Sequence, residues 1–173
     1  QQEKILKNLL RKMLVNKEIV IKADIKKVWE VFSRLEEWPK WGGYIIRTKW
    51  LSKRKWKKGA MLKQTIKGFD IMKEYTSISK IIEAKPYDLV MWTGTGLLVR
   101  GIHTIKFEKI DNTRKNQRFS RYRKSKGFSC KTKVSNIEQL KGPLAPIIAP
   151  FVKDKFEIYF EQFLEGLKRE AEK

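Results

Sequence analysis

Apolar positions along the chain change period several times, and each change marks an element. The first sixteen residues place Ile5, Leu6, Leu9, Leu10, Met13 and Leu14 on one helical face, which predicts a short amphipathic helix over 1–16 docked on the body. In EIVIKAD, Ile19, Ile21 and Ala23 alternate with Glu18, Val20 and Lys22, the pattern of a first strand. Asp24 is placed to cap a helix, and Ile25, Val28, Trp29, Phe32 and Leu35 keep helical spacing until Pro39 ends the run or forces a second short turn. From Gly43 the period becomes two. YIIRTKWL, AMLKQTIK, the run from Ile71 to Ile82, YDLVMWTG, LLVRGIHTIKFEKI and KTKVSNIEQLKG read as antiparallel strands separated by turn signals. The last stretch, Gly142 to Lys173, returns to spacings of three and four through Ile148, Val152, Phe156, Phe160, Phe163 and Leu167. Pro146 and Pro150 suit the first turns of that helix, and Lys168 and Arg169 complement the negative end of its dipole.

The order is therefore one strand, two short helices, six strands and one long helix. Seven strands cannot lie flat on a single helix, whereas a strongly curved antiparallel sheet can wrap it and leave a gap between them. Strand parity says which side chains face that gap. In the sixth strand Val99, Gly101, His103, Ile105 and Phe107 share a face, and in the seventh Val134, Asn136, Glu138 and Leu140 do. The only histidine thus points inward, with Glu138 and Asn136 as inward polar neighbours and Trp92 facing them from the fifth strand.

At 173 residues the chain fits one domain over 17–173 plus the leading helix. Cys130 is the only cysteine and His103 the only histidine, which excludes a Cys/His metal cluster and an internal disulfide and fits a reducing cytoplasm. No metal and no cofactor are expected. No run of eighteen uncharged apolar residues argues for a membrane span. The net charge is +21, and it is local: ten Lys or Arg and no acid lie between Glu37 and Asp70, and nine more, again with no acid, between Asp111 and Glu138.

The ordered set IKADIKKVWEVFSRLEEWPKW, KKGAML, EAKPYDLVMWTG, GIHTIKFEKID and TKVSNIEQLKGPLAP, followed by the long aromatic helix, resembles the polyketide cyclase/dehydrase-like group of the START/Bet v 1-like superfamily. The V-W at Val28-Trp29, the W-P-x-W at Trp38–Trp41, the P-x-x-L-x-x-W-x-G at Pro86–Gly94 and the E-x-x-x-G at Glu138–Gly142 carry the likeness, which runs from about Glu18 to Lys173. The resemblance implies an α+β helix-grip fold, a seven-stranded curved antiparallel sheet around a long C-terminal helix, enclosing a ligand cavity. The leading helix and a basic loop at 112–131 depart from that pattern.

A cavity of this kind would be walled by Trp29, Trp38, Trp41, Trp92, His103, Asn136, Glu138, Leu140, Phe151, Phe156 and Phe160, a surface suited to a small hydrophobic or amphipathic ligand that is bound, carried or sensed. His103 and Glu138 could also serve as general acid and base in a cofactor-free cyclisation or dehydration. No nucleophile motif, P-loop or dinucleotide fingerprint is present. A further candidate is an anionic partner, RNA, anionic lipid or an acidic protein, at two basic loops, 47–58 and 114–133. Arg54, Lys55, Lys57 and Lys58 are interleaved there with Trp50 and Trp56, and Arg118, Arg121, Arg123 and Lys124 with Phe119, Tyr122 and Phe128, as in single-strand binders.

Overall fold

A computed structural model describes residues 14–69, 72–94, 98–110 and 130–173. Its elements are β1 (Leu14–Ile21), α1 (Ile25–Ser33), a 3-10 turn (Leu35–Glu37), α2 (Trp38–Trp41), β2 (Ile45–Trp50), β3 (Met61–Lys67), β4 (Glu74–Lys85), β5 (Leu89–Gly94), β6 (Arg100–Ile110), β7 (Lys131–Lys141) and α3 (Ala145–Ala171). The seven strands form one antiparallel sheet in the order β1-β7-β6-β5-β4-β3-β2. Bulges between Ile45 and Arg47 and between Ile81 and Glu83 bend it. The curved sheet grips α3 from both edges. On the β1 edge Lys17 reaches Glu161 at 2.6 Å, and beside β2 Tyr44 stacks flat on Tyr159 at 4.6 Å. The Tyr159 hydroxyl donates to the Gly68 carbonyl at 2.7 Å. The helix-grip architecture that the resemblance implies, and with which the element order agrees, is the one observed.

Asp24 caps α1 as expected, its side chain accepting from the Lys26 N–H at 2.9 Å. Several positions differ, and the strand expected from Ile71 to Ile82 runs from Glu74 to Lys85. β1 starts at Leu14, so residues 14–16, assigned to the leading helix, are strand: Leu14, Val15 and Asn16 pair with Gln139, Glu138 and Ile137, and Val15 is buried. Ladder bonds and core burial outweigh the helical spacing there, and the rest of that helix, 1–13, lies outside the described residues. Pro146 is in the first turn of α3, but Pro150 is inside the helix, where its missing N–H leaves the Pro146 carbonyl without a helical partner. Both prolines are exposed.

The interior has two ends. At the end holding the β2–β3 and β4–β5 connections, aromatic side chains fill the space: Phe32 lies 5.0 Å from Trp56 and 5.1 Å from Phe107, and Trp29 lies 5.5 Å from Phe107. Trp38 meets Phe163 of α3 at 5.2 Å. Their polar edges are satisfied, since Trp38 Nε1 donates to the Phe32 carbonyl and Trp56 Nε1 to the Ser33 carbonyl, each at 2.7 Å. The C-terminal half of α3, from Tyr159 onward, buries Phe160, Phe163, Leu164 and Leu167 in and above this floor, whereas its N-terminal half buries only Ala145 and Ala149. That half spans a void.

Candidate functional site

The void is a cavity of about 370 Å³ between β3–β7 and the first half of α3. Its centre is a row of side chains set by sheet register: Trp92 on β5 pairs with His103 on β6, and His103 with Glu138 on β7. The imidazole lies nearly parallel to the Trp92 indole, centroids 4.3 Å apart and planes 12° apart, with the Phe160 ring edge-on at 5.0 Å. Its Nδ1 is 2.7 Å from Glu138 Oε2, and both side chains are close to fully buried. A carboxylate on Nδ1 fixes the ring and leaves Nε2 as its second polar atom. Glu138 can lie this way because residue 101 has no side chain: a Cβ there would fall 2.0 Å from Oε1.

Opposite this row, Gln64, Ser77 and Ser79 add polar atoms to walls otherwise built from Ile66, Leu140, Ile148, Val152 and Phe156. Tyr44 also lines the cavity; burial, then the charge of Glu138, pushes its phenol well above the ordinary range, while a hydrogen bond to Gln64 pulls the other way. The neutral phenol is therefore the form held inside. A shallow groove of about 450 Å³ crosses β2 and β3, lined by Arg47, Lys49, Lys63 and Thr65. It lacks the apolar enclosure of the inner cavity.

Six of the eleven anticipated wall residues line the cavity: Trp92, His103, Glu138, Leu140, Phe156 and Phe160. The other five do not. Trp29, Trp38 and Trp41 belong to the aromatic floor, since they sit on α1 and α2, which close the opposite end. Asn136 is inward and fully buried, but its amide has no hydrogen-bond partner among the described residues and does not join His103 and Glu138. Phe151 is 80% exposed, one residue before Val152 and off the stripe through Ile148, Val152 and Phe156. Sequence reasoning missed Tyr44, Gln64, Ser77 and Ser79. Parity could have supplied three of them, because Gln64 shares a face with Leu62 and Ile66, and Ser77 and Ser79 share one with Ile81.

The basic candidate at 47–58 also changes. Residues 47–50 are part of β2, and Trp50 and Trp56 turn inward, 4.9 Å apart and edge to face, so neither presents a free ring for stacking bases. Lys55 pairs with Glu36 at 2.8 Å, whereas Arg54, Lys57 and Lys58 are exposed and make no ion pair among the described residues. Arg118, Arg121, Arg123 and Lys124 lie outside the described residues. Among the described residues, no group of His, Cys, Asp and Glu is arranged to hold a metal, and no helix is long and apolar enough to cross a membrane.

Solved structures share this fold at low identity. A hypothetical protein of Helicobacter pylori is 16% identical, with a TM-score of 0.68 over 91% of this chain and 87% of its own. The Zhui aromatase/cyclase of Streptomyces sp. R1128 is 11% identical, with a TM-score of 0.68 over 92% and 93%. A START superfamily protein of Mycobacterium smegmatis is 13% identical, with a TM-score of 0.65 over 92% and 97%. No curated protein sequence matches. The family model for polyketide cyclase / dehydrase and lipid transport matches residues 12–172, nearly the whole chain, and the protein belongs to that family.

Proposed function

We propose that the protein binds a small hydrophobic or amphipathic molecule in the cavity, with the polar end of that molecule directed at His103 and Glu138. The observation that carries this reading is the cavity itself, about 370 Å³ with mainly apolar walls and one hydrogen-bonded His–Glu pair at its centre. An apolar body gains by leaving water, and a hydroxyl or carbonyl on it finds a partner in the second ring nitrogen of His103, which a ligand without one leaves unmatched. Family membership supports the same reading.

A second reading rests on the 2.7 Å pair. An imidazole oriented by a carboxylate and facing a mainly apolar cavity can take a proton from one carbon or oxygen of a ligand and return it to another, as cofactor-free cyclisation or dehydration requires. One of the similar structures is an aromatase/cyclase, consistent with that chemistry on this fold.

Titration with N-phenyl-1-naphthylamine, a neutral fluorophore that brightens in apolar surroundings, tests the first reading. Wild type is expected to bind it, and Val152→Trp, which fills the cavity, to weaken binding by about tenfold or more with the circular dichroism unchanged. Undiminished binding in that variant would refute the cavity as the site. His103→Ala should keep most probe binding; if the second reading holds, it loses all turnover of a polyketone or hydroxyketone substrate that wild type converts.

A further inference from the structure

The mouth of the cavity carries large apolar side chains that the fold does not use. Val99, Ile148 and Val152 line the cavity, and the residue before each of them, Leu98, Ile147 and Phe151, faces outward, 57%, 61% and 80% exposed. These three belong to one ridge. Ile147 and Phe151 are four apart on α3, and the Leu144 N–H donates to the Leu98 carbonyl at 3.3 Å, which ties the start of the helix to the segment entering β6. Across the mouth, Met72 and Tyr75, which also line the cavity, are each more than 40% exposed.

Cations are set among them. Arg100 and Lys141 are directly opposed in the β6–β7 register at the strand ends beside this ridge, both exposed and neither in an ion pair among the described residues. Like charges directly across a ladder are unfavourable unless something neutralises them. Lys73 and Glu74 stand between Met72 and Tyr75; Glu74 is taken up by Arg47, whereas Lys73 is exposed and unpaired among the described residues. Exposed apolar side chains with cations one or two residues away, as Lys73 beside Met72 and Arg100 beside Leu98, differ from a protein interface, whose centre excludes charge. They match the boundary of a bilayer, where hydrocarbon lies directly below phosphate.

We propose that this mouth docks on an anionic lipid bilayer, with Phe151, Ile147 and Leu98 in the interfacial layer and Arg100 and Lys141 on headgroup phosphates. The cavity then opens toward lipid, and an apolar ligand passes between membrane and protein without crossing water. The inference rests on the ligand-cavity reading and names the surface from which that ligand comes.

Cosedimentation of the full chain with phosphatidylcholine vesicles, with and without phosphatidylglycerol, tests docking, while the naphthylamine titration in the absence of vesicles reports the cavity separately. Wild type should bind the mixed vesicles and bind pure phosphatidylcholine far more weakly. Arg100→Gln with Lys141→Gln should weaken binding to the mixed vesicles roughly thirtyfold, and Ile147→Ser with Phe151→Ser about tenfold or more, with probe binding in solution unchanged in both. Replacing Lys53, Arg54, Lys57 and Lys58 by Gln, at the far end of the sheet, should have less effect than either. Absence of wild-type binding to mixed vesicles, retention of it in the Ile147/Phe151 variant, or a larger loss in the far-end variant overturns the docking. Failure of wild type to bind the probe overturns the cavity reading instead.

Discussion

Gly101 lacks a side chain where Glu138 needs the space, a constraint that joins two residues far apart in sequence. Parity is a local property, and it was enough to aim His103, Glu138 and Trp92 inward. The packing of Glu138 Oε1 where a Cβ at position 101 would be is a property of register between β6 and β7, which no local pattern contains. Tyr44 is a similar case, since it precedes β2 and reaches the site only through folding. Its consequence is a pH dependence. In the unfolded chain the phenol titrates near 10, and in the native state burial and the charge of Glu138 hold it higher. Below pH 10 both states keep the proton and the group contributes no slope. Above it the unfolded state binds fewer protons than the native one, so stability falls with rising pH, by at most about 1.4 kcal/mol per unit from this one group. In urea melts taken on either side of pH 10, Tyr44→Phe should show a shallower alkaline loss than wild type. An unchanged slope would mean that the phenol reaches water.

Among the elements, α3 approaches α2 closely at Gly166. A Cβ at Gly166 would lie 1.9 Å from the Trp41 carbonyl oxygen, a backbone atom that cannot rotate away. In an isolated helix, Gly166→Ala would stabilise by about 1 kcal/mol. Here the clash dominates, and the substitution is expected to destabilise by about 2 kcal/mol net, read as a lower urea midpoint. A higher midpoint would show that the two helices part without loss. Element order and type were legible from the changes of hydrophobic period, because each strand and helix buries one face of its own. What periodicity could not supply is which end of the sheet an element closes. Inward-facing aromatics such as Trp29, Trp38 and Trp41 therefore read as cavity wall in the sequence, although α1 and α2 pack them into the floor. The start of β1 differs from the expectation for a related reason: Leu14 continues a helical stripe in sequence, yet Leu14 and Val15 pair in the β7 ladder.

At the scale of the whole molecule, the cavity mouth and the most unpaired charge among the described residues lie at opposite ends of the sheet. The cavity mouth, with the start of α3 and the ends of β6 and β7, lies at one end, and the cationic β2–β3 connection at the other, with the aromatic floor between them. Sequence reading located the charge correctly as local runs, but a charge run does not say how much of it is neutralised. The pairs that form, such as Lys55–Glu36, Arg47–Glu74 and Lys133–Glu18, are at the surface and individually weak. Lys53, Arg54, Lys57 and Lys58 have no such partner among the described residues, and the net charge stays at +21. Self-repulsion on that scale destabilises the compact state, and salt relieves it. Raising sodium chloride shortens the screening length from about 30 Å at 0.01 M to about 3 Å at 1 M, which weakens long-range repulsion far more than contacts between paired neighbours. The thermal midpoint should therefore rise by about 5 °C over that range, where a charge-balanced domain of this size would change little. Chloride is the appropriate salt, because sulfate also strengthens apolar burial and would raise the midpoint of a neutral protein. The far-end Gln variant of Lys53, Arg54, Lys57 and Lys58 removes four of the repelling charges, so its midpoint should start higher and respond less to salt. A wild-type midpoint that is flat or falls with chloride would mean that the surface pairs outweigh the repulsion.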